Sequence, residues 1–173
     1  MTRALLSLGS NLGDREQHLR RAVGRLGPGV VRRSGIFETP PWGDADQPSY
    51  LNAVLIVADP RAEPYDWLVR ARAAESEAGR VRDPERRFGP RTLDVDVIVV
   101  WDDDGRPVLS DDPELTLPHP RAHLRAFVLR PWLDIEPAAE LPGHGPVATL
   151  LAAPDLVDDV AGLTPRPDLA LES

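Results

Sequence analysis

Three apolar runs, residues 3–8, 51–58 and 93–101, constrain this chain more than any other feature. None approaches the roughly 20 residues a membrane span needs. Each therefore predicts a buried strand, and helical patterns lie between them. After the first run, Asp14 stands three residues before Gln17 as in a helix capping box, and Leu19, Ala22, Val23 and Leu26 keep helical spacing until Gly27-Pro28-Gly29 stops them. Residues 30–37 predict a second strand. Beyond the run at 51–58, Pro64 opens a helix with Leu68, Ala71, Ala74, Glu75 and Ala78 along one stripe, and Gly79 closes it. The order is strand-helix-strand twice over, joined by a long loop. It predicts an α+β fold of the ferredoxin-like split βαβ type, an antiparallel sheet with helices packed on one or both faces.

The additions are smaller. A turn at 102–105 predicts a hairpin with a returning strand at 106–109. Leu115 to Pro120 must be extended because of its prolines, and residues 125–133 and 147–152 read as helices. Residues 1–153 are expected to form a single domain, and 154–173, mixed in Asp, Pro and Leu, a loosely packed or flexible tail.

At 173 residues the chain can bury roughly 70% of its unfolded surface, so a core suffices without staples. The absence of cysteine excludes a disulfide framework, a thiol nucleophile and a cysteine zinc site. A net charge of −8 opposes general nucleic-acid binding, and the apolar N-terminal stretch is too short for a secretory signal. A monomer in the cytoplasm, with no membrane or nucleic-acid partner, is the expectation.

The chemistry concentrates in RVRDPERRFGPRTLDVD, residues 80–96, where arginines crowd a loop that runs into a strand. Asp94 and Asp96 are two apart, so on a strand both leave one face. Aspartate is a poor strand former and an unpaired buried carboxylate is costly, so a cation is expected beside them. Magnesium suits this: it takes oxygen ligands, keeps waters, and shares carboxylates with substrate phosphates. We expect two magnesium ions on a triphosphate. The competing reading is a structural network with Arg86, Arg87 or Arg91. Arg80, Arg82 and Arg91 offer guanidinium forks to phosphate oxygens, and His119, between two prolines, is a further candidate. The loop ETPPWGDADQPSY, residues 38–50, is too rich in proline and glycine for regular structure, and loops of this length are commonly functional. With Thr39, Tyr50, Asn52 and Phe127 it suggests a pocket for a flat heterocycle, because Asn52 can read an amide edge such as that of a pterin or purine. Two other classes fit the sequence less well. A nucleotidyltransferase places its aspartates soon after a Gly-Ser turn, whereas Gly9-Ser10 lies far from Asp94. A ferredoxin-like RNA-binding module lacks support from the acidic charge.

Four segments together resemble the 6-hydroxymethyl-7,8-dihydropterin pyrophosphokinase family: GSNLGDR from Gly9, ETPPWGDADQPSYLNAV from Glu38, RFGPRTLDVDVI from Arg87 and LTLPHPRAHLRAFVLRPW from Leu115. They occur in family order and cover most of the chain. The resemblance implies transfer of the β,γ-pyrophosphoryl group of ATP to the pterin hydroxymethyl oxygen, releasing AMP. It implies that Asp94 and Asp96 hold two magnesium ions, and that Arg82, Arg91, Asp94 and Asp96 are catalytic. Glu75, Arg80, Arg82, Arg91, His119 and Arg125 would face ATP. Thr39, Pro40, Trp42, Tyr50, Asn52, Phe127 and Asp94 would face the pterin. The arginine loop would close once both substrates are bound. Arg72 stands where some members have glutamine, and Glu114 where some have a basic residue.

Overall fold

A computed structural model describes residues 1–41, 46–80, 84–86 and 91–172. Its centre is β1 (Thr2–Ser10), whose alternation sets the layers. Ala4, Leu6 and Leu8 face one way, into a core built with α1 (Arg15–Leu26) and α2 (Pro64–Glu77). Leu5 faces the other way, into a second core built with α3 (Ala126–Ile135). Helices thus cover both faces.

The remaining elements are β2 (Val30–Arg33), β3 (Phe37–Thr39), β4 (Tyr50–Asp59), β5 (Asp94–Trp101), β6 (Ser110–Asp112), β7 (Leu115–Leu117), β8 (Glu140–Leu141), β9 (Gly145–Pro146), α4 (Val147–Leu151), α5 (Val157–Ala161) and β10 (Thr164–Pro165). The main sheet runs β10-β3-β4-β1-β5, with β2 also on β4, and its pairings are antiparallel. Strand-helix-strand units interleaved in this way are the split βαβ arrangement.

Local chemistry explains the boundaries. Asp14 caps α1, its carboxylate accepting from the Gln17 N–H at 3.1 Å. Gly27, with φ of 61°, ends that helix in a conformation side chains resist. In α2 the deepest side chain is Trp67, which lies outside the expected stripe; its indole donates to Thr2 Oγ1 at 2.8 Å, which satisfies the buried N–H.

Three expectations are corrected. The strand at 30–37 is broken into β2 and β3, because both the N–H and the hydroxyl of Ser34 engage Val54, at 3.0 and 2.9 Å, and kink the chain. The returning hairpin strand at 106–109 is only a single bridge between Trp101 and Pro107, carried by the Asp102 N–H to Arg106 O at 2.9 Å and the Val108 N–H to Val100 O at 2.8 Å. Proline has no N–H to continue a ladder, and β6 pairs with β7 instead. The segment after residue 153 is not loosely packed. Leu156 and Leu171 are buried, and β10 joins the main sheet beside β3.

Candidate active site

The site begins where the second core runs out of apolar side chains. Along this face, β1 reads Leu5, Ser7, Gly9, and β4 reads Ile56, Val54, Asn52, Tyr50. On β5 the same face passes from Val99 to Asp96 and Asp94, with register pairs Ser7–Asp96 and Gly9–Asp94. Gly9 also pairs with Asn52, and Asn52 with Phe37, so one row crosses four strands. A methyl group on Gly9 would stand 3.3 Å from both Asn52 Oδ1 and the Tyr50 ring, so glycine keeps the floor open. The resulting cleft is lined by Ser7, Gly9, Thr39, Pro40, Tyr50, Asn52, Arg91, Asp94, Arg125 and Phe127.

One end of the cleft is neutral. The Asn52 amide donates to Thr39 Oγ1 at 2.6 Å, both side chains being buried. Thr39 is positioned by its pairing with Tyr50 across β3 and β4. Phe127, early in α3, comes to the same cleft as Tyr50 although far from it in sequence. Burial raises the Tyr50 phenol above its ordinary value, the nearby Arg91 charge opposing and Asp94 assisting the rise, so it is a neutral hydroxyl at physiological pH.

The other end is ionic. Arg80 NH1 lies 2.9 Å from Asp94 Oδ1 and also bonds the Glu75 carboxylate, while Arg91 NH1 is 3.0 Å from the same Asp94 oxygen. Glu75 accepts from the Val95 N–H at 3.0 Å, so α2 holds both Arg80 and the backbone of β5. Arg125, 7% exposed, reaches Asp96 at 3.2 Å and stacks its guanidinium 5.5 Å from the Phe127 ring centroid. Burial alone would raise the Asp94 pKa, but Arg91, Arg80 and Arg125 outweigh it and hold the carboxyl low. Asp96 is pushed up to about 7 by burial and then by the Asp94 charge, against the pull of Arg125. His119 is driven down to about 4 by burial and by Arg125 and Arg121. Its Nδ1 accepts from the Arg121 N–H at 3.1 Å, so the neutral ring carries its proton on Nε2, as a donor.

The residues fit a hard divalent cation. Asp94 and Asp96 offer oxygen ligands from one strand face, and the raised Asp96 pKa marks negative charge in want of a further cation. Among the described residues no cluster of three His, Cys, Asp or Glu forms a closed cage. A magnesium ion that completes its shell with water and substrate phosphates asks for no such cage.

Of the expected residues, the structure brings Asp94, Arg91, Arg125, Thr39, Pro40, Tyr50, Asn52 and Phe127 to one cleft. Arg80 and Glu75 lie behind Asp94, joined to it through Arg80. His119 sits against β5, its N–H donating to Ile98 O at 2.8 Å. Arg82 and Trp42 lie outside the described residues, as does most of the expected clamp. Arg72 and Glu114, the two departures from the family pattern, face each other at 3.6 Å. Asn11 was missed. Read from sequence as part of a turn, it accepts from the Arg91 N–H at 2.8 Å, and its amide donates to Gln47 at 2.7 Å and Pro48 at 3.0 Å. It is buried and ties the two loops together, and the sequence carried no signal beyond an asparagine between Ser10 and Leu12 in the GSNLGD turn.

Split βαβ topology, paired carboxylates, buried arginines and an amide-lined cleft define a class, an α+β enzyme built for phosphoryl transfer to a small flat acceptor. The family model for 7,8-dihydro-6-hydroxymethylpterin-pyrophosphokinase (HPPK) matches residues 5–137, and the chain belongs to that family. It is similar to the 2-amino-4-hydroxy-6-hydroxymethyldihydropteridine pyrophosphokinases of Mycobacterium tuberculosis, 46% identical over 100% of this chain and 95% of the relative, and of Methylorubrum extorquens, 44% identical over 83% and 89%. Among solved structures, an HPPK-DHPS in complex with substrates superposes with a TM-score of 0.61 at 10% identity over 86% of this chain. Wild-type Plasmodium falciparum HPPK-DHPS gives 0.57 at 12% over 86%. These two show the shared fold, and this chain spans 42% and 44% of their lengths.

Proposed function

We propose that this chain transfers the β,γ-pyrophosphoryl group of ATP to the hydroxymethyl oxygen of 6-hydroxymethyl-7,8-dihydropterin, producing the pterin diphosphate and AMP in folate biosynthesis. The observation that carries this reading is the row Asn52–Gly9–Asp94, which sets an amide-reading pocket beside the carboxylate pair within one cleft. Family membership and the names of the relatives support it.

The pterin lies over Gly9, its amide edge toward Asn52 and Thr39 and its ring between Tyr50 and Phe127, with Pro40 beside it; Trp42, assigned to the pterin with them, lies outside the described residues. Asp94 and Asp96 would hold two magnesium ions. When bound, these ions neutralise phosphate charge and ease deprotonation of the acceptor hydroxyl. The hydroxymethyl oxygen attacks the β-phosphorus in line. That O–P bond forms as the bridging O–P bond breaks, the electron pair leaves with AMP, and the hydroxyl proton passes to solvent. Arg80, Arg82, Arg91 and Arg125 orient the triphosphate and balance charge on the transferring group, and neutral His119 donates Nε2–H to a phosphate oxygen. Glu75 serves the nucleotide by holding Arg80. Positioning and electrostatics supply most of the acceleration. The enzyme works as a monomer in the cytoplasm.

The test is to mix protein, magnesium, ATP and the hydroxymethyl dihydropterin and identify the nucleotide product. AMP with a pterin diphosphate is expected. ADP, or no turnover, refutes the reading.

A further inference from the structure

We propose that the C-terminal segment is a positioning element of the acceptor pocket, acting through Arg166 on Glu38. The proposal rests on the functional reading above, and it concerns residues beyond the 5–137 that match the family model.

The segment reaches the pocket by two routes. In the first, β10 pairs with β3, and the Arg166 N–H donates to Ile36 O at 2.8 Å. Arg166 NH1 then donates to Glu38 Oε1 at 2.9 Å, while Asp168 grips the same guanidinium at 3.0 and 2.8 Å. The second oxygen of Glu38 takes Arg15 NH1 at 2.6 Å, and that nitrogen also donates to Ser49 O at 3.1 Å. Glu38 precedes Thr39 and Ser49 precedes Tyr50. The chain Asp168–Arg166–Glu38–Arg15–Ser49 therefore fixes both ends of the 40–49 loop, next to the two pocket residues those ends carry. In the second route, Gly162 packs 3.5 Å from Pro40 measured from an ideal Cβ, and Asp158 and Leu163 help enclose a small cavity behind Thr39 and Phe127.

A structural role alone would lower stability without choosing between substrates. A positioning role acts on the acceptor and spares the nucleotide, whose contacts come from α2, β5 and the arginines. Each exposed ion pair is weak by itself, but here one carboxylate joins two arginines, and pocket geometry depends on the chain as a whole.

The experiment compares wild type with Arg166→Ala, Arg166→Lys and Glu38→Gln. It measures the Kd for 6-hydroxymethyl-7,8-dihydropterin in the presence of magnesium and a non-hydrolysable ATP analogue, together with the KM of each substrate. Arg166→Ala is expected to raise the acceptor Kd by three- to tenfold with the ATP KM within twofold, and Arg166→Lys to recover at least half of the loss. Should Arg166→Ala not fold, Glu38→Gln, which keeps the side-chain shape while weakening both arginine contacts, is expected to show the same selective rise. An acceptor Kd within threefold of wild type, or an equal change in both substrates, overturns the proposal. If wild type makes AMP and binds the pterin but Arg166→Ala binds it equally well, only this inference falls. If wild type does neither, the functional reading falls with it.

Discussion

Glu75→Ala tests how α2 supports the carboxylate strand. Glu75 and Arg80 are each 7% exposed in their side chains, so their ion pair is shielded from water and salt. Removing one partner of a buried pair costs about 3–5 kcal/mol, because the surviving charge is left without compensation. Here Asp94 still holds Arg80 at 2.9 Å, which puts this part near the lower bound, about 3 kcal/mol. The Val95 N–H loses its 3.0 Å acceptor as well, and an unmet buried donor adds about 1 kcal/mol or more. The sum is about 4 kcal/mol, or roughly 8–16 °C in Tm at about 2–4 °C per kcal/mol for a chain of this size. Thermal melts followed by circular dichroism, with urea titrations for ΔG, measure it. Glu75→Gln keeps a carbonyl acceptor for Val95 while losing the charge, and is expected to lose about half as much. A Glu75→Ala protein melting within about 3 °C of wild type would refute the reasoning, as would equal losses in the two variants.

Two further outcomes are expected. Asn52→Ala removes a buried amide from the acceptor end; losing two hydrogen bonds of about 1 kcal/mol each should weaken pterin binding by roughly 10- to 100-fold with ATP affinity retained, and isothermal titration showing less than about a threefold change would remove Asn52 from the pocket. His119 is held neutral, with its folded pKa near 4 against an ordinary 6.5. Between those values the unfolded chain binds more protons than the folded one, so stability is present above about pH 6.5 and is lost as pH falls toward 4. The loss is on the order of 2–3 kcal/mol. Urea titrations at pH 4.5 and 7 should show that difference shrinking in His119→Gln; an unchanged difference would show that His119 is not the group responsible.

The carboxylate pair shows how far the sequence reached. Asp94-x-Asp96 inside an apolar run requires both acids on one strand face, since strand periodicity is local and needs no knowledge of neighbours. Gly27 and Asp14 likewise set the limits of α1 through chemistry confined to a few residues. The register was beyond reach. That Gly9 stands between Asn52 and Asp94, and that Phe127 comes to Tyr50, depends on strand order and on which face α3 covers. The misread pieces share this cause. Ser34 breaks a strand because of a partner at Val54, and the C-terminal segment orders because β3 offers it an edge and Glu38 a charge. Asn11 looked like a turn residue because turns favour asparagine whether or not its amide has distant work.

By itself, then, the sequence determined the split βαβ order, an antiparallel sheet with helices against it, and a carboxylate pair that needs cations, because alternation, capping and burial cost act over a few residues. Tertiary structure alone decided which arginine meets which carboxylate, that Asn11 joins two loops, and that Arg166, after residue 153, reaches Glu38. Those pairings join groups far apart in the chain, and only the assembled fold brings them within hydrogen-bond distance.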